Sequence, residues 1–119
     1  MAKGNDDFDY VLDELAKSAL RSLQMDDSDS NNVLAMQHIL VNLAGNDSDE
    51  VIASKTSCAL MLTGFVLPEF KMKELVESTR EKCFKHVLVL QHAYTSIEEF
   101  GCTGEEALAA IQKSLNFEL

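Results

Sequence analysis

Apolar residues recur along this chain at spacings of three and four, the period of an α-helix that packs one face on a core. In residues 6–24 the repeat predicts a first helix, and it consists of Phe8, Leu12, Leu15, Ala19 and Leu23. Pro68 is the one proline, and no stretch alternates apolar and polar residues long enough to indicate a strand. The pattern predicts an all-α protein.

The second predicted helix is the most uniformly apolar one. It begins at Asn31 or Asn32, either of which can cap a helix, and it ends before Gly45, which suits a left-handed position after a helix. Its Val, Leu, Ile and Met residues point in nearly every direction around the helix axis. We therefore expect this helix to be buried almost all round.

Two capping boxes predict the starts of a third helix and of a terminal helix. Asp47 with Glu50 resembles such a box, and the helix that follows continues to about residue 63, where Gly64 stops it. Thr103 with Glu106 forms the second box. Both supply acceptors for backbone N–H groups that a helix start leaves unpaired.

Residues 69–100 contain no glycine or proline, and Gly101 follows at the position expected just past a helix end. We expect one long helix of about 30 residues here, with two nearly collinear helices as the alternative. Its apolar stripe is Met72, Leu75, Val76, Thr79, Cys83, Val87, Leu90, Ala93, Tyr94, Ile97 and Phe100. The predicted architecture is a compact four- or five-helix bundle around this long helix, formed by residues 1–119 as a single domain.

The acidic residues are concentrated in the first part of the chain. The net charge is −10, and residues 1–50 hold eleven of the twenty Asp and Glu residues against three of the ten Lys and Arg residues. Such a negative field repels nucleic acids and anionic lipid headgroups and attracts basic protein surfaces or cations. We therefore expect neither direct nucleic-acid binding nor membrane binding.

Part of this acidity has a local cause, since ten of the twenty acids fall at or near predicted helix starts, where negative charge is stabilising. What remains points to the end of the first helix and the loop after it. We predict a partner-binding acidic surface there, made of Asp13, Glu14, Asp26, Asp27 and Asp29.

We interpret the chain as a non-enzymatic interaction protein, an adaptor, regulator or inhibitor, whose acidic surface binds a protein partner with a basic surface. A sharper version is nucleic-acid mimicry, in which carboxylates take the positions of phosphates and must form continuous rows. The chain has no phosphate-binding glycine loop, no G-x-S-x-G and no H-E-x-x-H motif. An enzyme is therefore less expected than an interaction protein, and no cofactor is expected.

Cys83, His86 and His38 are the weak candidates for metal ligands, because Cys and His suit zinc and an i, i+3 pair shares a helix face. His92 lies on the opposite side of the helix, so one helix supplies two ligands where a closed zinc site needs four. We interpret His86 as a core histidine with one hydrogen bond. The alternative is a metal-dependent enzyme or small-ligand binder with its site inside the bundle.

The loop that starts at Asp27 begins like an EF-hand calcium-binding loop but lacks two of the residues that the calcium-binding geometry requires. Its sixth position is Asn32 where glycine is needed, and its twelfth is His38 where a bidentate glutamate is needed. We interpret it as a polar loop that caps the second helix, with weak cation binding as the alternative.

Phe84 and Leu88 lie four residues apart on the side of the long segment opposite its main stripe, with Phe70 in line. We expect the terminal helix to cover this pair. Otherwise the pair forms an exposed apolar patch for a partner, or for a second copy in a homo-oligomer. Three further residues would extend such a patch: Met61, Phe65 and Phe117.

The N-terminus lacks the apolar stretch of a secretory signal, and the longest apolar run, residues 58–67, has about half of the roughly 20 residues needed to cross a bilayer. The three cysteines (Cys58, Cys83 and Cys102) are an odd number without disulfide-like clustering, which suits reduced thiols. We therefore expect a cytoplasmic protein.

Overall fold

The computed structural model describes residues 3–119, with side chains from residue 6 onward. Helices make up 77% of the chain, and the described residues contain no strand. The six helices are α1 (Lys3–Ser22), α2 (Ser30–Ala44), α3 (Asp49–Met61), α4 (Glu69–Lys82), α5 (Phe84–Phe100) and α6 (Gly104–Leu115). The prediction of an all-α protein is confirmed.

Helix α2 lies at the centre and packs against α1, α3, α4 and α5. Its fully or almost fully buried residues are Ala35, Met36, Ile39, Leu40 and Leu43. The expected burial on nearly every side is only partly right, because Val41 is 40% exposed and Val33 and Leu34 are half-buried. All six helices contribute to the hydrophobic core, and the Cα radius of gyration of 13.9 Å is that of a compact chain.

The single long helix over residues 69–100 is not confirmed, because the helix breaks at Cys83. This residue has φ −115° and ψ 33°, and it separates α4 from α5. A continuous helix over these residues would be about 48 Å long. The largest dimension of the molecule is 40 Å, so the chain must break to remain compact. The break also lets α4 pack against α3 while α5 packs against α1 and α6.

The buried face of α5 is rotated relative to the predicted stripe. His86 and Val89 are buried, whereas Tyr94 and Phe100, which the stripe included, are 53% and 75% exposed. The prediction continued the angular register of α4 across Cys83. The prediction was wrong for these two aromatic residues. The non-helical geometry of Cys83 breaks the register for Tyr94, whereas Phe100 shares a face with the buried Ala93 and Ile97 but is the last residue of α5.

Several predicted helix ends shift by one to three residues. Asp29 caps α2, in place of Asn31 or Asn32, by accepting from the backbone N–H groups of both asparagines. Ser48 caps α3 in place of Asp47. These corrections have one reason, since a short polar side chain can cap wherever the backbone ahead of it is extended, and neighbouring Asp, Ser and Asn residues compete for that position.

The ends marked by Thr103 and by two glycines are as predicted. Thr103 and Glu106 form the reciprocal hydrogen bonds of a capping box at the start of α6. Gly64 and Gly101 have φ of 80° and 68°, the left-handed conformation that ends α3 and α5. After α2, Asn46 takes the left-handed conformation with φ 64°, while Gly45 has φ −86°.

Helices α1 and α6 are in close contact at Gly104, the first residue of α6. Its backbone N–H donates to Oδ1 of Asp7 at 3.0 Å. A Cβ at this position would meet the carbonyl oxygen of Asp7 at 2.5 Å and the ring of Tyr10 at 3.0 Å. The absence of a side chain therefore allows the crossing between the first and last helices.

Gly104→Ala should lower the free energy of unfolding by about 1 to 3 kcal/mol, because the added methyl group forces α6 away from the α1 backbone. Urea denaturation measures this. Gly45→Ala is the matched control, since Gly45 is exposed and an added Cβ there has its nearest neighbour at 3.6 Å. Equal stability of the two variants would contradict the close approach.

Candidate functional site

The five predicted partner-binding acids, which we call the acidic face, are Asp13, Glu14, Asp26, Asp27 and Asp29. Asp13 and Glu14 lie in the middle of α1, not at its end as predicted, and the other three lie in the loop before α2. Asp13 pairs with Lys17 at 2.9 Å, one helical turn away. Asp27 pairs with Arg21 at 2.8 Å. The two cations leave three negative charges in excess on this face.

The other loop acids organise the backbone between α1 and α2. Asp26 accepts from the backbone N–H of Ser28 at 2.9 Å and from its hydroxyl at 2.6 Å. These bonds hold the pKa of Asp26 below its usual value, the hydroxyl making the larger contribution. Asp29 accepts from the N–H of Asn31 at 2.9 Å as the cap of α2. Both carboxylates are exposed, so they keep oxygen lone pairs towards solvent.

An open groove of about 820 Å³ runs beside the acidic face. Asp13 and Lys17 line it from α1, Asp27 lines it from the loop, and Val33 and Leu34 of α2 supply apolar lining. Thr63, just beyond α3, closes the far side. The structure therefore brings Asp13 and Asp27 to one groove, whereas Glu14, Asp26 and Asp29 lie outside its lining.

The acids around the start of α3 are paired with bases of α3 and α4. Asp49 pairs with Arg80 at 2.7 Å, Asp47 with Lys55 at 3.0 Å and Glu50 with Lys73 at 3.4 Å. All five ion pairs found among the described residues contain a carboxylate from residues 1–50. The carboxylates thus alternate with cations, which gives nucleic-acid mimicry no support.

Four exposed apolar residues lie where α3 turns into α4, and we call them the apolar corner: Met61, Leu62, Val66 and Phe70. Their exposures are 62%, 90%, 75% and 63% respectively. The sequence analysis assigned Met61 and Phe70 to a patch around Phe84 and missed Leu62 and Val66. Residues 56–68 contain no charged residue, and this run continues past the stop at Gly64. The available signal for this surface in the sequence was an uncharged run that is longer than its helix. The residues beyond the end of the helix have no helical face that could direct them towards the core.

The apolar corner has a fixed backbone. Phe65 N–H donates to the Leu60 carbonyl at 3.2 Å and Gly64 N–H to the Met61 carbonyl at 3.1 Å, a paired arrangement that closes the end of α3. Phe65 and Leu67 are half-buried and pack against the core. The loop is therefore anchored on its inner side while Leu62 and Val66 face solvent.

Phe84 and Leu88 are not covered by the terminal helix. Phe84 is 62% exposed, and Leu88 is half-buried beside it in a groove of about 240 Å³ that also includes Arg80. Helix α6 packs against α5 and α1 instead. Of the three residues expected to extend this patch, Met61 is exposed, Phe65 is half-buried and Phe117 is buried. A homo-oligomer through Phe84 remains a hypothesis.

The candidate metal ligands do not gather. In the part of the chain that the structure describes, no three His, Cys, Asp or Glu side chains are placed to hold a metal ion together. Cys83 is buried with Sγ 3.9 Å from the Ala19 carbonyl, and burial raises the pKa of its thiol to about 11. His38 lies in a shallow surface depression with Leu12 and Val41. The metal-site alternative gains no geometric support.

His86 is a core histidine, as the sequence analysis expects. It is 5% exposed, and its Nε2 lies 3.0 Å from the hydroxyl of Ser18, which is also 5% exposed. The ring packs edge-on against Phe117 with 4.9 Å between ring centroids. Its Nδ1 is buried and has no hydrogen-bond partner.

The Ser18–His86 contact lacks the features of a catalytic pair. Burial lowers the pKa of His86 to about 4, and the charge of Arg21 acts in the same direction. A general base works best with a pKa near the operating pH, and it is usually oriented by an acceptor at the other ring nitrogen. Because Nδ1 has no partner and both groups are buried, this pair is a packing feature.

A second groove, of about 470 Å³, is almost wholly apolar. Phe8 of α1, Val41 of α2, and Leu90 and Tyr94 of α5 contribute to its lining. Phe8 and Tyr94 meet edge-to-face with 5.6 Å between their ring centroids.

None of the described helices combines the length and hydropathy that a membrane span requires.

Comparison of the chain with protein-family models, with curated proteins and with solved structures finds no match. Function is therefore argued from the acidic face, the groove and the apolar corner.

His86→Gln should make stability less sensitive to acid. The pKa of His86 is lower in the folded state than the ordinary 6.5, so folding opposes its protonation. The stabilisation is complete above pH of about 6.5 and is lost as the pH falls towards 4. The wild type should lose roughly 2 to 3 kcal/mol more than the glutamine variant between pH 7.5 and 4.5.

Urea denaturation at the two pH values measures that difference. Glutamine stays neutral over this range and can still reach Ser18. The exposed His92 offers the control variant His92→Gln, which should keep the acid sensitivity of the wild type. Parallel pH curves for wild type and His86→Gln would contradict the buried neutral histidine.

Proposed function

We propose that this protein is a small helical protein-interaction module without enzymatic activity, acting as an adaptor, regulator or inhibitor, and that its acidic face binds a basic surface on a protein partner. The observation that carries the proposal is an excess of carboxylates on α1 and the loop before α2, where five acids face two cations and only Asp13 and Asp27 are paired, with Lys17 and Arg21. Asp13 and Asp27 of this face also line a groove of about 820 Å³.

The existing ion pairs on the acidic face are compatible with binding a partner. In the Asp13–Lys17 pair both side chains are 40% exposed, and exposed pairs of this kind contribute about 0 to 1 kcal/mol. An incoming arginine or lysine therefore competes with a weak interaction. The hydrogen bonds of Asp26 and Asp29 keep the loop in one conformation before the partner arrives, which lowers the ordering cost of binding.

The net charge of −10 supports a basic protein as the ligand in preference to nucleic acid or an anionic membrane. A field of this sign accelerates encounters with positively charged proteins, and the acceleration falls as salt rises. The three cysteines are unpaired, which supports the cytoplasm as the location. The alternative of a metal-dependent enzyme or small-ligand binder has no comparable observation in its favour.

The test compares two variants with the same change in net charge. The first replaces the acidic face by isosteric amides, with the substitutions Asp13→Asn, Glu14→Gln, Asp26→Asn, Asp27→Asn and Asp29→Asn. The control replaces five exposed glutamates of α4 and α5, with the substitutions Glu69→Gln, Glu74→Gln, Glu77→Gln, Glu98→Gln and Glu99→Gln. Asparagine caps helices as well as aspartate, so the start of α2 is preserved.

We expect basic proteins captured from a cell extract by the unmodified chain to be retained by the control variant and lost by the acidic-face variant. Quantitative mass spectrometry of the captured proteins measures the difference, and binding should weaken as salt is raised. An unchanged set of captured proteins on the acidic-face variant would refute the proposal.

A further inference from the structure

We propose that the partner docks as a basic amphipathic helix, with its cationic face on the acidic face and its apolar face on the apolar corner. This inference rests on the proposed function and makes it more specific. It names the secondary structure and the side-chain pattern of the segment that binds.

The acidic face and the apolar corner are joined by two consecutive hydrogen bonds. The hydroxyl of Thr63 donates to Oδ1 of Asn31 at 3.1 Å, and the backbone N–H of Asn31 donates to Oδ1 of Asp29 at 2.9 Å. Thr63 directly follows Leu62, the most exposed residue of the apolar corner. The groove of about 820 Å³ reaches from Asp13 and Asp27 to this same Thr63.

This arrangement presents two kinds of surface side by side. Asp13 and Asp27 border the groove, Val33 and Leu34 give it apolar lining, and Thr63, which also lines it, directly follows Leu62 of the apolar corner. A helix with cations on one face and leucine-like residues on the next has the complementary pattern. An extended basic peptide satisfies the acidic face but leaves the apolar corner in water.

The backbone conformation at the end of α3 keeps the apolar corner exposed. Three backbone hydrogen bonds, from the N–H groups of Thr63, Gly64 and Phe65 to the carbonyls of Leu60 and Met61, close the end of α3. Phe65 and Leu67 pack against the core and hold the loop there, so the side chains of Leu62 and Val66 cannot reach the core. A contiguous exposed apolar surface in a folded domain is typical of a binding site.

Charge selects a basic helix over a second copy of the chain. Each copy carries a net charge of −10, and the apolar corner adjoins a face with three negative charges in excess. Bringing two such faces together opposes association. A cationic amphipathic helix buries the same apolar side chains and gains attraction to that face.

The experiment uses the full chain and two synthetic probes. The first is a lysine–leucine peptide of about 18 residues, about 27 Å long as a helix, with leucines at spacings of three and four. The second has the same composition in an order without amphipathic spacing. Calorimetry gives both affinities, and circular dichroism reports helix formation by the peptide on binding.

Three forms of the chain separate the contributions. Leu62→Gln with Val66→Gln removes the apolar corner at two positions that are 90% and 75% exposed, so folding should be preserved. Tyr94→Gln with Phe100→Gln is the matched control at exposed aromatic residues of α5. The acidic-face variant described above is the third form.

We expect the amphipathic peptide to bind about tenfold or more tightly than the scrambled one, because buried leucines add to the charge attraction. Leu62→Gln with Val66→Gln should remove most of this preference. Tyr94→Gln with Phe100→Gln should leave it intact. The bound amphipathic peptide should gain helix.

The contrary outcomes are distinct from one another. If both peptides bind equally and the Leu62 and Val66 variant changes nothing, while the acidic-face variant weakens both, the docking mode is wrong and the proposed function stands. If the acidic-face variant binds both peptides as tightly as the unmodified chain does, the docking proposal and the proposed function both fail. If light scattering shows a dimer of the unmodified chain that Leu62→Gln with Val66→Gln dissociates, the apolar corner is a self-association surface, and the docking proposal is overturned.

Discussion

Burial of α2 is the constraint on which the rest of the structure depends. This helix carries apolar side chains around most of its circumference, so one or two neighbours cannot remove them from water. Four helices pack against it, and the chain must be routed so that all four reach it. The break at Cys83 follows, because a straight helix over residues 69–100 would extend beyond the molecule and could not place α4 on α3 and α5 on α1.

The same routing creates the candidate site. Because α2 is enclosed along its length, its N-terminal end is where the α1–α2 connection and the end of α3 meet at the surface. Asp29 caps that end, Asn31 receives the hydrogen bond from Thr63, and Val33 and Leu34 remain only partly covered. The groove is the place where coverage of the central helix is incomplete, which explains its mixed polar and apolar lining.

The distribution of charge along the sequence differs from its distribution on the folded surface, and this difference bears on the kind of partner that can bind. Residues 47–50 look acidic in sequence, yet Arg80, Lys73 and Lys55 neutralise them after folding. At the α1–α2 connection the available cations, Lys17 and Arg21, are fewer than the acids. Folding therefore pairs the acids of residues 47–50 with bases and leaves an excess of carboxylates on the acidic face. This supports a partner that recognises a small region, with no row of carboxylates resembling a phosphate backbone.

The sequence by itself determined the all-α class, the approximate span of most helices, the capping box at Thr103, the left-handed ends at Gly64 and Gly101, and the core position of His86. These depend on local periodicity, local hydrogen bonds and backbone sterics, which neighbouring residues specify. Only the tertiary structure decided the break at Cys83, the exposure of Tyr94, Phe84 and Leu62, and the ion pairs of Asp49 with Arg80 and of Glu50 with Lys73. These features depend on which helices meet, and contacts between residues far apart in sequence leave no periodic signal along the chain.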